Sequence, residues 1–261
     1  MIKNKRISLI IPCKNEAHAL RAVLKKLPKA IDEVIVIDNN STDDTIKTAK
    51  SFKAKVFLEK KNINGIGYGY ALQKGIKEAS GDILVCMDGD GSYPINKVEK
   101  ITNYLLKNNL DFISCSRLPF RNPKKMSSIR AFGVNILNLL SFVLFGYKLK
   151  DSLTGMWIFK KEVLKKLDLI EGNWNFSLEI KLKAIKSSKL TFKEYAIPYH
   201  DRIFDKSKQN LLRTGIMHTV YLFYLKSIFI ANDYQLLVRK NFTGLGLKNL
   251  PNILLGNKYK A

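Results

Sequence analysis

At 261 residues, 46% of them hydrophobic and with no internal repeat or low-complexity tract, the chain is long enough for one main domain of about 200 residues plus an appendage, with ample core. Its 45 Lys and Arg against 22 Asp and Glu give a formal charge of +23, concentrated in the second half: residues 1–120 hold 20 basic against 13 acidic side chains, residues 121–261 hold 25 against 9. Base-stacking aromatic motifs and a recognisable nucleic-acid module are both missing, which argues against a nucleic-acid partner and makes an anionic membrane surface the better reading of that charge.

In chain order, short apolar runs at Ile7–Ile11, Glu33–Asp38, Lys55–Leu58, Asp82–Asp88 and Asp111–Cys115 alternate with helix-length stretches at Ala17–Leu27, Asp43–Phe52, Tyr68–Ala79 and Ile95–Asn108. This alternation predicts an α/β fold, a parallel sheet with helices on both faces. Ligands of such sheets bind beyond the carboxyl ends of the strands. Three polar loops fall there: Pro12-Cys13-Lys14-Asn15-Glu16, Asp38-Asn39-Asn40-Ser41 and Asp88-Gly89-Asp90.

The first loop lacks Gly-x-Gly-x-x-Gly, which argues against NAD. Asp38, at a strand end, is placed to accept hydrogen bonds from a base or ribose. Ser41, followed by Asp43 and Asp44, is expected to cap the second helix. Gly65-Ile66-Gly67-Tyr68-Gly69 reads as a turn and helix start lining the pocket, or simply as a flexible loop. Carboxylates at i and i+2, Asp88 and Asp90, can share one hard divalent cation that neutralises a diphosphate, and Gly89 lets the backbone approach the ligand. Taken alone, the same triplet is also a solvated acidic turn. Cys13, Cys86 and Cys115 lie in or beside predicted strands without metal-ligand spacing, which points to a reducing compartment and to small buried hydrophobes, with Cys13 a candidate for exposure in the first loop.

Beyond residue 120 lie two apolar stretches, Ala131–Tyr147 and Thr214–Ile230, flanked by Arg130, Lys148, Lys150 and Arg213 and, in the second, interrupted by Lys226. Both are shorter than the ~20 apolar residues of a span. They are predicted to be amphipathic helices lying in the headgroup zone, a buried core helix or a dimer face being the alternative. Met1–Arg6 is too short and polar for a signal peptide, so the expected location is the cytoplasmic face of a membrane, as a peripheral protein. His200, beside Asp201, is read as a structural residue at a strand end. The sequence leaves the oligomeric state and the role of residues 232–261 open.

Six ordered motifs carry a resemblance that runs from Ile7 to about Lys208. They are Pro12-x-x-Asn15-Glu16, Asp38-Asn39-Asn40-Ser41-Thr42-Asp43, Asp88-Gly89-Asp90, Ser152-Leu153-Thr154-Gly155 with Phe159 to Leu164, Asn173-Trp174-Asn175-Phe176-Ser177-Leu178-Glu179, and Asp201-Arg202 with Ser207-Lys208. The chain resembles the family 2 glycosyltransferases of GT-A fold, in particular the dolichol-phosphate mannosyltransferases and related polyprenyl-phosphate sugar transferases. The resemblance implies a GT-A domain at 1–205, including an interface helix at about 129–147, followed by a C-terminal interface helix and tail at 206–261.

It further implies a nucleotide-diphosphate sugar as donor, Mg2+ or Mn2+ on Asp88 and Asp90, and a dolichyl or polyprenyl phosphate as acceptor. Pro12, Asn15, Glu16, Asp38, Asn40, Gly67 and Gly89 are implied nucleotide-site residues, and Arg117, Arg130, Arg202 and Lys208 implied holders of the donor diphosphate or lipid phosphate. Because a phosphate monoester has its second pKa near about 6, the nucleophile needs placement more than deprotonation. Glu179, grouped with Asp88, Asp90 and Arg117 as catalytic, is accordingly expected to orient the acceptor or a neighbouring arginine, and in-line attack inverts the anomeric centre. Asn39-Asn40 and Ser92 depart from the common family residues, which leaves GDP-mannose, UDP-glucose and UDP-N-acetylglucosamine all open as donors.

Overall fold

The side chains of the first apolar run alternate between two cores. Ile7, Leu9 and Ile11 enter one hydrophobic cluster and Ile10 the other, so β1 (Ile7–Cys13) is buried on both faces. The structure, a computed structural model, describes residues 1–118, 128–200, 202 and 210–244, with side-chain surroundings described to residue 234. The strands β2 (Glu33–Asp38), β3 (Lys55–Leu58), β4 (Ile83–Cys86), β5 (Phe112–Ser116), β6 (Trp157–Lys160) and β7 (Phe192–Ala196) join β1 in one sheet, ordered β3-β2-β1-β4-β6-β5-β7. All pairs are parallel except those of β6, which runs antiparallel to both β4 and β5.

The helices α1 (Ala17–Leu24), α2 (Thr45–Ser51) and α4 (Val98–Lys107) cover one face; α3 (Tyr68–Glu78) and α6 (Phe176–Lys186) cover the other. From β1 the chain winds outward through β2 and β3, then returns to place β4 on β1's other side. The strand order therefore reverses between β1 and β4, and the crevice beyond their carboxyl ends is where an open sheet of this kind takes its ligand.

The expected parallel sheet is present, with two additions. β6 is apolar but only four residues long, and the five residues of β7, Phe-Lys-Glu-Tyr-Ala, carry no strong apolar signal. Ser41 does not cap α2 as expected: its Oγ accepts the Asn15 N–H at 2.9 Å, the N-cap residue Asp44 makes no side-chain cap bond, and Asp43 Oδ1 accepts the Thr45 N–H at 3.0 Å. Cys13 is buried with Cys86 and Cys115, not exposed.

The two apolar stretches form α5 (Ser128–Phe145) and α7 (Leu211–Gly244), which pack on each other and on α6 through Leu137, Leu178, Leu182, Leu222, Leu225 and Phe229. Here the length read from sequence is corrected. Lys226 lies within α7, its ammonium over the Phe145 ring at 5.9 Å. The helix extends the apolar stretch at both ends, so that Leu211–Tyr234 is one segment long and apolar enough to cross a membrane by length and composition, with a third of it buried in the protein. The domain boundary at 205–206 lies outside the described residues.

At the opposite edge of the sheet, Glu33 is an internal anchor. Its carboxylate accepts bonds from Ser8 Oγ, from Lys55 Nζ at 2.7 Å, and from the Ser80 N–H and Oγ at 2.9 and 3.0 Å. Burial raises the carboxyl's pKa, but the bonds from Lys55, Ser8 and Ser80 outweigh it and hold the group at about 2, below its ordinary 4.5. A carboxylate depressed in the folded state stabilises the fold above the unfolded pKa, and that stability drains away as pH falls from about 4.5 to about 2. Glu33→Gln is expected to lower stability by about 2 kcal/mol at pH 7 and to flatten its fall below pH 5, measured by urea denaturation; parallel pH curves for variant and parent would contradict this.

Candidate active site

The first two strand-end loops are knitted to each other by main-chain donors. Asn15 sits at φ +52° and its Oδ1 accepts the Thr42 N–H at 2.7 Å, the Glu16 N–H donates to Thr45 Oγ1 at 2.9 Å, and the Ser41 N–H donates to Asp38 Oδ2 at 3.0 Å. Asp38 thus spends one oxygen on its own loop. Its other oxygen, Oδ1, is buried and accepts no hydrogen bond from the described residues. A buried acceptor without a donor is costly unless a ligand supplies one. Pro12 lies next to the end of β1, just before this loop, and Asn40 turns the second loop at φ +61°. Gly67 caps α3 against that loop, where a Cβ would lie 2.4 Å from Asn39 Nδ2 and 2.5 Å from the Lys61 carbonyl.

The third loop turns away after β4. Asp88 Oδ1 accepts the Tyr68 hydroxyl at 2.9 Å, and burial together with the neighbouring Asp90 charge lifts its carboxyl to about 6. Asp90 Oδ1 accepts the Ser92 N–H at 3.0 Å and Oγ at 2.6 Å, and its Oδ2 lies 3.1 Å from Arg202 Nε. A Cβ at Gly155 would stand 2.9 and 3.0 Å from the two Asp88 oxygens, so glycine there keeps the approach to the carboxylate open. Among the described residues no three His, Cys, Asp or Glu side chains converge. Two carboxylates nonetheless suit a hard divalent cation that completes its shell with phosphate oxygens and water.

Three arginines surround this pair. Arg117, just past β5, is gripped by the fully buried Asp151 through Nε at 2.7 Å, Nη2 at 2.9 Å and its own N–H at 3.0 Å, and it lies over the Tyr199 ring at 5.3 Å. Burial lowers the pKa of the Arg130 guanidinium, and the like charges of Arg202 and Arg117 lower it further. Such crowding of cations marks a place prepared for an anion.

Asp88, Arg117, Arg130 and Arg202 line one cavity of about 590 Å³ with Tyr68, Tyr93, Trp174 and His218. Its far half is apolar and runs between α5 and α7, along Ile129, Phe132, Ile136, Leu212, Ile216 and Val220. Sequence reading missed Tyr93, Trp174 and His218 as lining residues, although Trp174 falls inside a motif it singled out; Tyr68 belongs to the segment it read as lining the pocket, and the Tyr68 and Trp174 rings pack with centroids 4.7 Å apart. Asp151 carries no motif of its own, yet directly precedes Ser152-Leu153-Thr154-Gly155.

Glu179 stands elsewhere than expected. Its buried carboxylate accepts the Ile170 N–H at 3.1 Å and the Glu171 N–H at 2.9 Å and pairs with Lys183 Nζ at 2.8 Å. It orients neither an arginine nor the cavity but holds the segment that leads to Trp174. His200 donates its main-chain N–H to the Ser92 carbonyl at 3.0 Å, which fits the structural reading. Lys208, Asp201 and Ser207 lie outside the described residues.

The chain is 31% identical over 203 residues to an uncharacterized protein of Methanocaldococcus jannaschii, covering 75% of this chain and 82% of that one. It is 29% identical over 186 residues to the UDP-N-acetylglucosamine–dolichyl-phosphate N-acetylglucosaminyltransferase of Methanococcus voltae, covering 63% and 73%. With the dolichol-phosphate mannosyltransferase of Pyrococcus furiosus it shares 28% over 192 residues, 68% of this chain and about half, 53%, of that enzyme. Among solved structures, glucosyl-3-phosphoglycerate synthase from Mycobacterium tuberculosis in complex with Mn2+, uridine diphosphate and phosphoglyceric acid superposes with a TM-score of 0.66 at 19% identity, covering 85% of this chain and 78% of that one, a likeness of fold. The family model for glycosyl transferase family 2 matches residues 8–168, through all three strand-end loops and the Asp151–Gly155 segment, and this chain is therefore a member of that family, a glycosyltransferase of GT-A fold.

Proposed function

We propose that the enzyme transfers a hexose, with inversion, from a nucleotide-diphosphate sugar to a dolichyl or polyprenyl phosphate at a membrane surface. The observation that carries this reading is the two-part cavity: the Asp88 carboxylate with Arg117, Arg130 and Arg202 at one end, an apolar groove between α5 and α7 at the other. A lipid phosphate needs both. Two relatives named for dolichyl-phosphate acceptors support the same acceptor class.

The residues divide the work by charge. Asp38, with its open Oδ1, takes a donor hydrogen from the base or ribose, and the loops of Pro12, Asn15, Glu16, Asn40 and Gly67 shape the nucleotide pocket. Asp88 and Asp90 are the groups that would hold Mg2+ or Mn2+, which supplies Lewis-acid stabilisation of the diphosphate leaving group. Arg117, Arg130 and Arg202 neutralise the donor diphosphate or the incoming lipid phosphate, and Arg117 presents a fixed guanidinium because Asp151 holds its far side. An anionic phosphate requires no general base, in keeping with a Glu179 that is occupied elsewhere. Its oxygen attacks the anomeric carbon as the sugar–diphosphate bond breaks, and the bonding electrons leave on the diphosphate. The donor is GDP-mannose, UDP-glucose or UDP-N-acetylglucosamine.

Phe132, Leu139, Val143, Leu212, Val220 and Phe223 on α5 and α7 are exposed large apolar side chains, which supports attachment to the cytoplasmic face of a bilayer through these helices. A second reading, transfer to a soluble or polysaccharide acceptor, is favoured by the fold's likeness to a synthase named for a phosphoglycerate. The arginines suit either anion; the apolar half of the cavity suits only the lipid.

Label from a panel of GDP- and UDP-sugars, offered with Mg2+ or Mn2+ and polyprenyl phosphate, is expected in a chloroform-soluble product; transfer only to phosphoglycerate or a saccharide would overturn the acceptor. Asp90→Asn should fold normally and lose at least about 100-fold in turnover, and near-parental turnover would remove the metal assignment. Binding to anionic vesicles should be released by alkaline carbonate, whereas protein retained in the pellet would make α7 a span instead of a surface helix.

A further inference from the structure

α6 buries two charged side chains two residues apart, Glu179 and Lys181, and each binds the main chain of a different irregular segment. Glu179 holds the segment leading to Trp174. Lys181 is fully buried, and its ammonium donates to the carbonyls of Asp151 at 3.1 Å and Thr154 at 3.4 Å and to that of Ser152. An ammonium has three protons, so three acceptors saturate it.

Those carbonyls belong to the irregular stretch between α5 and β6, which has no ladder of its own to satisfy them. On its amide side the same stretch is held by Glu194 of β7, whose carboxylate accepts the Lys150 and Asp151 N–H groups at 2.8 and 3.1 Å. Its far end is held by Tyr93, whose hydroxyl accepts the Gly155 N–H at 2.6 Å. Between these anchors Asp151 projects its carboxylate onto Arg117 in a two-point grip. Removing Lys181 would leave three buried carbonyls without a donor and free the backbone from which that grip extends.

We infer that Lys181 is a positioning residue for transfer: by tying the Asp151–Thr154 carbonyls to α6 it sets where the Arg117 guanidinium stands in the cavity. The role of Arg117 as phosphate holder rests on the function proposed above; the mechanical link from Lys181 to Arg117 does not. No substrate contact is assigned to Lys181.

The test is a double-mutant cycle on the full-length enzyme with K181M and R117A, read by sugar transfer, alongside NMR exchange of the Arg117 Nε–H, its resonance assigned by its loss in R117A. K181M is expected to lower kcat about 10- to 100-fold in the parent and less than about twofold in R117A, since coupled residues do not add. Exchange of the Arg117 Nε–H should quicken at least about tenfold in K181M, and K181R, which keeps donors at the site, should recover part of both. If K181M fails to fold, K181Q, with two donors left for three carbonyls, is read in the same way. Losses that multiply in the double variant, or an unchanged Nε–H exchange in a folded variant, would overturn the inference. A parent enzyme that turns over none of the nucleotide sugars would refute the proposed function alone, and the exchange rates would still decide the link.

Discussion

The buried ion pair between Arg117 and Asp151 is the interaction on which the site depends. Taking both charges out of water costs several kcal/mol before their attraction offsets it, and apolar residues would fill the same space at no such cost. What the pair provides is position. Arg117 follows β5, Asp151 follows α5, and Gly155, four residues on, leaves Asp88 open. One bond network therefore joins the sheet, the helix that shapes the apolar groove and the carboxylates that suit a cation.

The charge of the molecule is organised by the same principle. Most of the basic excess lies beyond residue 120, yet the arginines that matter are individually constrained: Arg117 by Asp151, Arg202 by Asp90, Arg130 by partial burial among like charges. A field of surface lysines attracts an anionic membrane at long range and is screened by salt within about 8 Å. Guanidiniums held in a partly apolar cavity act at contact, where screening is weak. Attraction to the surface and grip on the phosphate are thus separate tasks, given to different residues.

The position of α6 in this scheme explains why a helix with little amphipathic character is so fully buried. It packs on the sheet through Phe176 and Ile180 and on α7 through Leu178 and Leu182. Its charged Glu179 and Lys181 have no solvent face to occupy, so each is satisfied by main-chain groups of an adjoining irregular segment. Buried charge on a helix is here a means of shaping loops that have no secondary structure to shape them.

The sequence by itself determined the alternation of strands and helices, the three loops at the strand ends and the carboxylates of the third, because period and punctuation are local properties that a few neighbouring residues encode. Asp38 was legible for the same reason, as a polar residue closing an apolar run. Ser41 was misread as a cap because its role depends on the first loop, whose Asn15 N–H claims the serine hydroxyl. Glu179 was misread because a carboxylate inside a motif says nothing about which backbone will meet it. The length of α7 was misread because the apolar stretch was bounded at Thr214 and Ile230, whereas the helix carries it on from Leu211 to Tyr234. The tertiary structure alone decided the antiparallel β6, the pairing of Arg117 with an aspartate 34 positions away, and the joining of a polar site to an apolar groove. Those are contacts between distant segments, set by which surfaces remain to be covered once the sheet has formed.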